Sequence, residues 1–144
     1  AGKPWENNFS IYQKIIDENN LSENVILHTK FIDYEDVEHY YCSSDLVVLP
    51  YKKIYQSGVL MMTLSYERPA LVSDLPPLIE VITDNENGFL FASEDEEDLT
   101  DKIIKIISDK ENLEKVRLKG IETVNTKYGW DEIGRLTKKA YQTL

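Results

Sequence analysis

Three short apolar segments, each followed by a turn and then by a helix-like pattern, constrain the fold of this 144-residue chain most strongly. The segments are Leu46–Leu49, Pro69–Val72 and Phe89–Phe91. A short run that is continuously apolar is typical of a strand covered on both faces. Strands that alternate with helices predict a parallel sheet with helices packed on both of its faces. We therefore expect an α/β fold.

The remaining segments extend this alternation along the chain. Apolar residues at helical spacing predict helices over residues 8–19 and Tyr34–Cys42, with a short strand, Val25–His28, between them. Further helices are predicted in the second half of the chain: Ser57–Tyr66, Pro76–Ile82, a helix that begins in the acidic stretch 93–98, Leu113–Tyr128 and Trp130–Leu144. No repeat or internal linker interrupts the pattern, so we expect residues 1–144 to form one domain.

Composition excludes several classes of function. The formal net charge of -10 argues against a general nucleic-acid-binding or anionic-membrane-binding surface, because both require a basic patch. Cys42 is the only cysteine, which excludes an internal disulfide and a metal site built from thiolates, and which fits a cytoplasmic protein. Neither His28 nor His39 has a metal-ligating partner at suitable spacing. We therefore expect no metal and no cofactor.

The loop after the first apolar run is the strongest candidate for a binding site. Ligands of parallel α/β sheets bind beyond the carboxyl ends of the strands, and the chain leaves this strand at Pro50 and Tyr51. Ser57 and Gly58 then open a helix, whose free backbone N–H groups and positive dipole end suit a phosphate or a carboxylate. Serine is also a favoured helix N-cap, so the spacing alone leaves an ordinary capped helix as the alternative.

An ordered set of motifs along the chain resembles a known family. The first motif, Val37–Pro50, is a helix with tyrosines, then small residues and Asp, and then an apolar strand that ends in Pro; Gly58 follows and opens the next helix. Pro69–Asp74 is a strand that begins with Pro and ends in Asp, and Glu80 comes six residues later. The last two motifs are Asn87–Leu90, an Asn-Gly turn before an apolar strand, and Trp130–Asp131. In this order they are similar to the C-terminal half of retaining glycosyltransferases of the GT-B fold, often called group 1 or family 4. The resemblance covers nearly the whole chain.

This resemblance implies a fold, a partner and an activity. The sheet is expected to be Rossmann-like and to lack the first strand-helix unit of the family's domain, together with the acceptor-binding N-terminal domain. The complete enzyme would transfer a sugar from a nucleotide-diphosphate sugar to a glycan or a lipid-linked acceptor, as in polysaccharide biosynthesis. Peripheral membrane association would run through the missing domain. We expect this chain alone to be inactive, with no catalytic residue of its own.

The resemblance also implies a set of residues that contact the donor: Tyr51, Gln56, Ser57, Gly58, Val59, Thr63 and Glu80. The amides at the helix start would hold the donor phosphate through charge-assisted hydrogen bonds. Tyr51 would border the nucleotide, and the amide of Gln56 can both donate and accept. Thr63 would offer a hydroxyl where the family has a carboxylate.

Two departures from the family pattern support alternatives. The family's two glutamates around the donor helix align with Tyr55 and Thr63, and its paired glycines before Glu80 align with Pro76 and Pro77. The missing acidic pair, together with the absence of the basic loop that follows the family's first strand, favours a non-catalytic binding or interaction module, or one subunit of a split glycosyltransferase. A flavodoxin-like signalling receiver is disfavoured, because that class needs aspartates at the carboxyl ends of its strands.

Overall fold

The computed structural model describes residues 1–4 and 9–143. The chain divides into two compact units, Ala1–Tyr40 and Tyr41–Leu144, which are described separately. The expectation of one domain over residues 1–144 stays a prediction. The first residue of the first predicted helix, Asn8, and the last residue of the chain, Leu144, lie outside the described residues.

The first unit contains helix α1, Ser10–Glu18, and most of α2, Tyr34–Cys42. Both helices were predicted, but the predicted strand Val25–His28 is wrong: this segment has no regular secondary structure. A strand requires repeated hydrogen bonds to a neighbouring strand. Among the described residues, the backbone of this segment makes one turn hydrogen bond, from the N–H of Val25 to the carbonyl of Leu21 at 3.0 Å, and one bond to a distant residue, from the N–H of Gly2 to the carbonyl of His28 at 2.8 Å. Ile26 is 82% exposed.

The second unit is built around the parallel sheet that the apolar segments predict. Strands β1 (Val47–Leu49), β2 (Ala70–Ser73) and β3 (Phe89–Phe91) lie side by side in that order. Val48 pairs with Leu71, and Leu71 pairs with Phe89 across the next strand. The predicted α/β class with a parallel sheet is therefore confirmed.

Helices connect and cover these strands. They are α3 (Gly58–Ser65) between β1 and β2, α4 (Pro76–Ile79) between β2 and β3, and α5 (Glu96–Ser108), α6 (Lys110–Lys127) and α7 (Trp130–Gln142) after β3. Asp95 caps α5 by accepting hydrogen bonds from the amides of Glu97 and Asp98, at 3.1 and 2.9 Å. The acidic stretch is thus a helix start that satisfies free N–H groups and complements the helix dipole.

The two faces of the sheet bury different apolar clusters. Ala70 and Val72 of β2 pack with Leu60 and Leu64 of α3. The intervening Leu71 points to the other face and packs in a second cluster that includes Phe89, Phe91, Ile106 and Val116. Because consecutive side chains of a strand alternate between faces, a continuous apolar run serves both clusters. Helices therefore cover both faces, as predicted.

The packing of α6 against α3 fixes one wall of the site described below. Gly120 permits close approach, since a Cβ atom there would lie 3.0 Å from Cδ2 of Leu64 and 3.2 Å from the carbonyl oxygen of Asn87. Arg117 of α6 bonds to Glu67, just beyond the end of α3, and to Glu114, at 2.7 Å.

Within the described residues, no helix combines the length and apolar character needed to cross a membrane.

Candidate functional site

A groove of about 430 Å³ opens at the carboxyl end of the sheet. Its lining comes from the residues that follow β1, from α4 and the residues just after it, and from Tyr128 at the end of α6. Four of the residues predicted from the sequence lie here: Gln56, Ser57, Gly58 and Glu80. The loops after two neighbouring parallel strands meet at this edge, which is where ligands of such sheets bind.

The serine at the start of α3 is a true helix cap. The side-chain oxygen of Ser57 accepts a hydrogen bond from the amide of Leu60, at 3.0 Å. A hydroxyl has one donor hydrogen and two acceptor lone pairs. The hydroxyl hydrogen of Ser57 therefore remains available to a ligand while the cap is in place, so capping and ligand binding are compatible here.

Two backbone amides at this helix start have no hydrogen-bond partner in the part of the chain that the structure describes. Among the described residues, no hydrogen bond is found for the N–H groups of Gly58 and Val59, which occupy the first two helical positions. A Cβ atom built on Gly58 would have no heavy atom within 4 Å, so this side of the helix start faces open space. Unpartnered amides at the positive end of a helix dipole favour an anion.

The charges around the groove are unusual for an anion site. Glu80 contributes a carboxylate, and none of the described residues that line the groove is a lysine, an arginine or a histidine. Lys52 forms an exposed ion pair with Glu94, at 3.0 Å, and Lys53 lies 5.7 Å from the ring centroid of Tyr55, which lines the groove. The amides of α3 are therefore the main electropositive groups of the groove.

The other three predicted donor contacts lie outside the groove lining. Tyr51 packs against the apolar cluster on the α3 face of the sheet. Thr63 is fully buried, and its hydroxyl donates to the carbonyl oxygen of Val59, at 2.8 Å, as is common for a threonine inside a helix. The side chain of Val59 is 41% exposed beside the groove, so this residue offers its amide rather than its side chain.

Sequence reasoning missed several residues of the groove lining, and among them Tyr128 is the one most distant along the chain. It is the cap residue directly after α6, far along the chain from the loop that carries Ser57, and 37% of its surface is exposed. The periodicity of α6 predicts where this helix ends but not which other loop its last residue will meet. The sequence did contain one signal for this residue, since a tyrosine directly before Gly129 marks the end of the predicted helix.

A second groove, of about 300 Å³, lies at the amino ends of the strands. It is lined by groups of both charge signs, including Asp45, Arg68, Lys110 and Arg117. The guanidinium of Arg117 is already paired, and the hydrogen bonds that it donates to the Glu114 carboxylate are the main cause that raises the pKa of Arg117. Arg68 donates to the carbonyl oxygen of Tyr66, at 3.1 Å. Both arginines of this groove are therefore already engaged by groups of the protein, so the groove at α3 is the better candidate.

Comparison with known proteins gives a consistent family assignment. The family described as glycosyl transferases group 1 matches residues 2–123. An uncharacterized glycosyltransferase from Methanocaldococcus jannaschii is 24% identical over 137 residues, which is 93% of this chain and 38% of that protein. The chain therefore spans little more than a third of this relative.

Solved structures agree with the fold. Sucrose-phosphate synthase from Thermosynechococcus elongatus superposes with a TM-score of 0.83 at 20% identity, over 100% of this chain and 38% of that one. The Anabaena protein HepE, in complex with UDP, superposes with a TM-score of 0.84 at 16% identity, over 94% of this chain and 36% of that one. HepE has also been solved with UDP and glucose and with UDP-glucose. At these identities the similarity establishes the fold.

Proposed function

Because this chain belongs to the group 1 glycosyltransferases, we propose that it is the donor-binding part of an enzyme that transfers a sugar from a nucleotide diphosphate. The acceptor would be a glycan or a lipid-linked sugar, as in polysaccharide biosynthesis, and the compartment would be the cytoplasm. The chain spans 38% of its curated relative, so an acceptor-binding domain would belong to the complete protein or to a separate subunit. Any peripheral membrane association would run through that domain.

The observation that carries this proposal is the pair of unpartnered amides at Gly58 and Val59, at the mouth of a groove beyond the sheet. A diphosphate oxygen at this position would accept both N–H bonds and the hydroxyl hydrogen of Ser57. In the complete enzyme, the same amides would stabilise the charge that grows on the leaving diphosphate as the sugar departs. HepE, which has this fold, binds UDP and UDP-glucose.

The side chains beside these amides suit the neutral part of such a donor. Gln56 can donate and accept, and the carboxylate of Glu80 accepts hydrogen bonds from hydroxyl groups. A carboxylate placed next to a phosphate would repel it, so we assign Glu80 to sugar or ribose hydroxyls rather than to the diphosphate. Tyr51 and Thr63 are left out of direct contact, because their side chains pack within the protein.

Calorimetric titration of the 144-residue chain with UDP and with guanosine diphosphate tests this proposal. We expect saturable binding in the millimolar range or tighter for at least one of them. Gly58→Asp should abolish it, because a carboxylate there occupies the helix start and repels phosphate, and losing the charge-assisted bonds costs about 1.5–3 kcal/mol, or roughly 10- to 150-fold in affinity.

Gly58→Ala is the matched control. Its added methyl group meets no heavy atom within 4 Å, so binding should persist. An acidic residue in the first turn favours the helix, so Gly58→Asp should also remain folded. Binding that survives Gly58→Asp unchanged would contradict the site, and transferase turnover by the isolated chain would contradict the assignment of the acceptor site to another domain.

A second function is favoured by one specific feature of the groove. Glu80 faces it, while no cation is found among the described lining residues, and this weakens attraction for a diphosphate. A non-catalytic binding module, or one subunit of a split glycosyltransferase, would have this property. The absence of any heat with either nucleotide, up to the limit of solubility, would support this alternative.

A further inference from the structure

We propose that Tyr128 is a specificity-determining residue, whose hydroxyl contacts the sugar of a donor held on the amides of α3. This inference rests on the proposed function, and it adds a residue that the family likeness does not assign. The family matches residues 2–123, and Tyr128 lies beyond that range. Tyr128 nevertheless lines the same groove as Gly58 and Glu80.

The direction of α6 brings Tyr128 to this position. Gly120 lies against Leu64, near the end of α3, whereas Tyr128 lies beside Gly58 and Leu60 at its start. The two helices therefore run in opposite directions. The backbone N–H of Tyr128 donates to the carbonyl of Val124, at 3.0 Å, which anchors the residue at the helix end.

The residue after Tyr128 restrains it further. A Cβ atom on Gly129 would lie 2.5 Å from the backbone carbonyl oxygen of Asn125, so the chain turns back closely over the last turn of α6. Only glycine fits such an approach to a backbone atom. The main chain at Tyr128 is thus held by close backbone contacts on both sides, and the residue lines the groove from this position.

The helix dipoles give the two walls of the groove partial charges of opposite sign, so the two walls favour different parts of a ligand. The start of α3 is the positive end of one helix dipole, and the end of α6 is the negative end of another. An anionic phosphate is favoured at Gly58 and disfavoured near Tyr128. The neutral, hydroxyl-bearing sugar is the part of a nucleotide sugar that suits the tyrosine wall.

The hydroxyl of Tyr128 is available for this contact. Across residues 1–4 and 9–143, no hydrogen bond to it is found, and it has one donor hydrogen and acceptor capacity. A sugar hydroxyl is its chemical complement, since it also donates and accepts. UDP has ribose hydroxyls but lacks the transferred sugar, so a contact from Tyr128 to that sugar should distinguish UDP-glucose from UDP.

The test compares UDP-glucose with UDP on the 144-residue chain and on its Tyr128→Phe variant. We expect the dissociation constant for UDP-glucose to rise about 3- to 10-fold, as for the loss of one neutral hydrogen bond, while that for UDP changes less than about twofold. Tyr141→Phe is the matched control, because Tyr141 lies on α7 and is 75% exposed outside the groove lining. Thermal unfolding should be the same for all three proteins.

The outcomes separate the two proposals. If the unaltered chain binds neither ligand, the proposed function fails and this inference fails with it. If the chain binds and Tyr128→Phe weakens both ligands equally, or neither, the sugar contact is overturned while the donor site stands. A selective loss for UDP-glucose, absent in Tyr141→Phe, supports the assignment of Tyr128.

Discussion

The buried side chain of Asn87 offers the sharpest test of how the groove is held in shape. Asn87 is 4% exposed and forms hydrogen bonds with the segment that follows α4, and the residues of this segment line one wall of the groove. Its Oδ1 accepts from the amide of Thr83, at 2.7 Å, and its Nδ2 donates to the carbonyl of Val81, at 2.9 Å. The same Nδ2 donates to the hydroxyl of Thr123 on α6, at 3.2 Å.

Asn87→Ala removes all three of these bonds at once. Each contributes about 1 kcal/mol net, so the free energy of unfolding should fall by about 3 kcal/mol. That is a large part of the roughly 5–15 kcal/mol available to a folded domain, and it should lower Tm by about 10 °C. Urea unfolding followed by circular dichroism measures the loss.

Two threonine variants separate the contribution that crosses to α6. Thr123→Val removes the hydroxyl that accepts from Asn87 and should cost about 1 kcal/mol. Thr126→Val is the matched control, since its hydroxyl donates to the carbonyl of Glu122 on the exposed side of the same helix, and it should change stability by less than about 0.5 kcal/mol. A loss below about 1 kcal/mol for Asn87→Ala would refute the reasoning that this residue fastens the wall.

Two further predictions concern α6. Gly129→Ala should destabilise the protein by at least about 2 kcal/mol in urea unfolding, because its methyl group would collide with the backbone of Asn125. Gly134→Ala, which meets no heavy atom within 4 Å inside α7, should instead stabilise it by up to about 1 kcal/mol, and equal effects would contradict the close approach at Gly129. Hydrogen bonding from Arg117 lowers the pKa of the Glu114 carboxyl below its ordinary value of 4.5, so this pair stabilises the fold above that pH. Its contribution should be lost as the pH falls further, and the difference in Tm between the unaltered chain and Glu114→Gln should shrink below pH 4.5; a difference that does not depend on pH would contradict the pairing.

Local patterns predicted most of the secondary structure and one side of the groove. The apolar runs at Leu46–Leu49 and Phe89–Phe91 predict buried strands because side chains on both faces must be apolar, and the structure has strands there. Ser57 predicts a helix start because its side chain can satisfy a free amide, and it does so. These features depend on a few adjacent residues, which the sequence displays directly.

Other features depend on partners that a local pattern does not contain. Val25–His28 has strand-like composition, but strand formation needs a neighbour that supplies a ladder of hydrogen bonds, and this segment has no such ladder among the described residues. Thr63 has the right chemistry for a ligand contact, but the packing of α3 turns its side chain into the core. Apolar composition predicted the strand and the family resemblance predicted the role of Thr63, and both depend on packing that a local pattern does not contain.

The sequence alone thus determined the alternation of strands and helices in the second unit and the capped helix start at Ser57, and it predicted a ligand site at the carboxyl edge of the sheet. Tertiary structure alone decided that the end of α6 meets the start of α3, which makes Tyr128 a wall of the groove. The physical reason is range: periodicity and capping act over one or two helical turns, whereas the groove is closed by residues that only packing through Gly120 and Asn87 brings together.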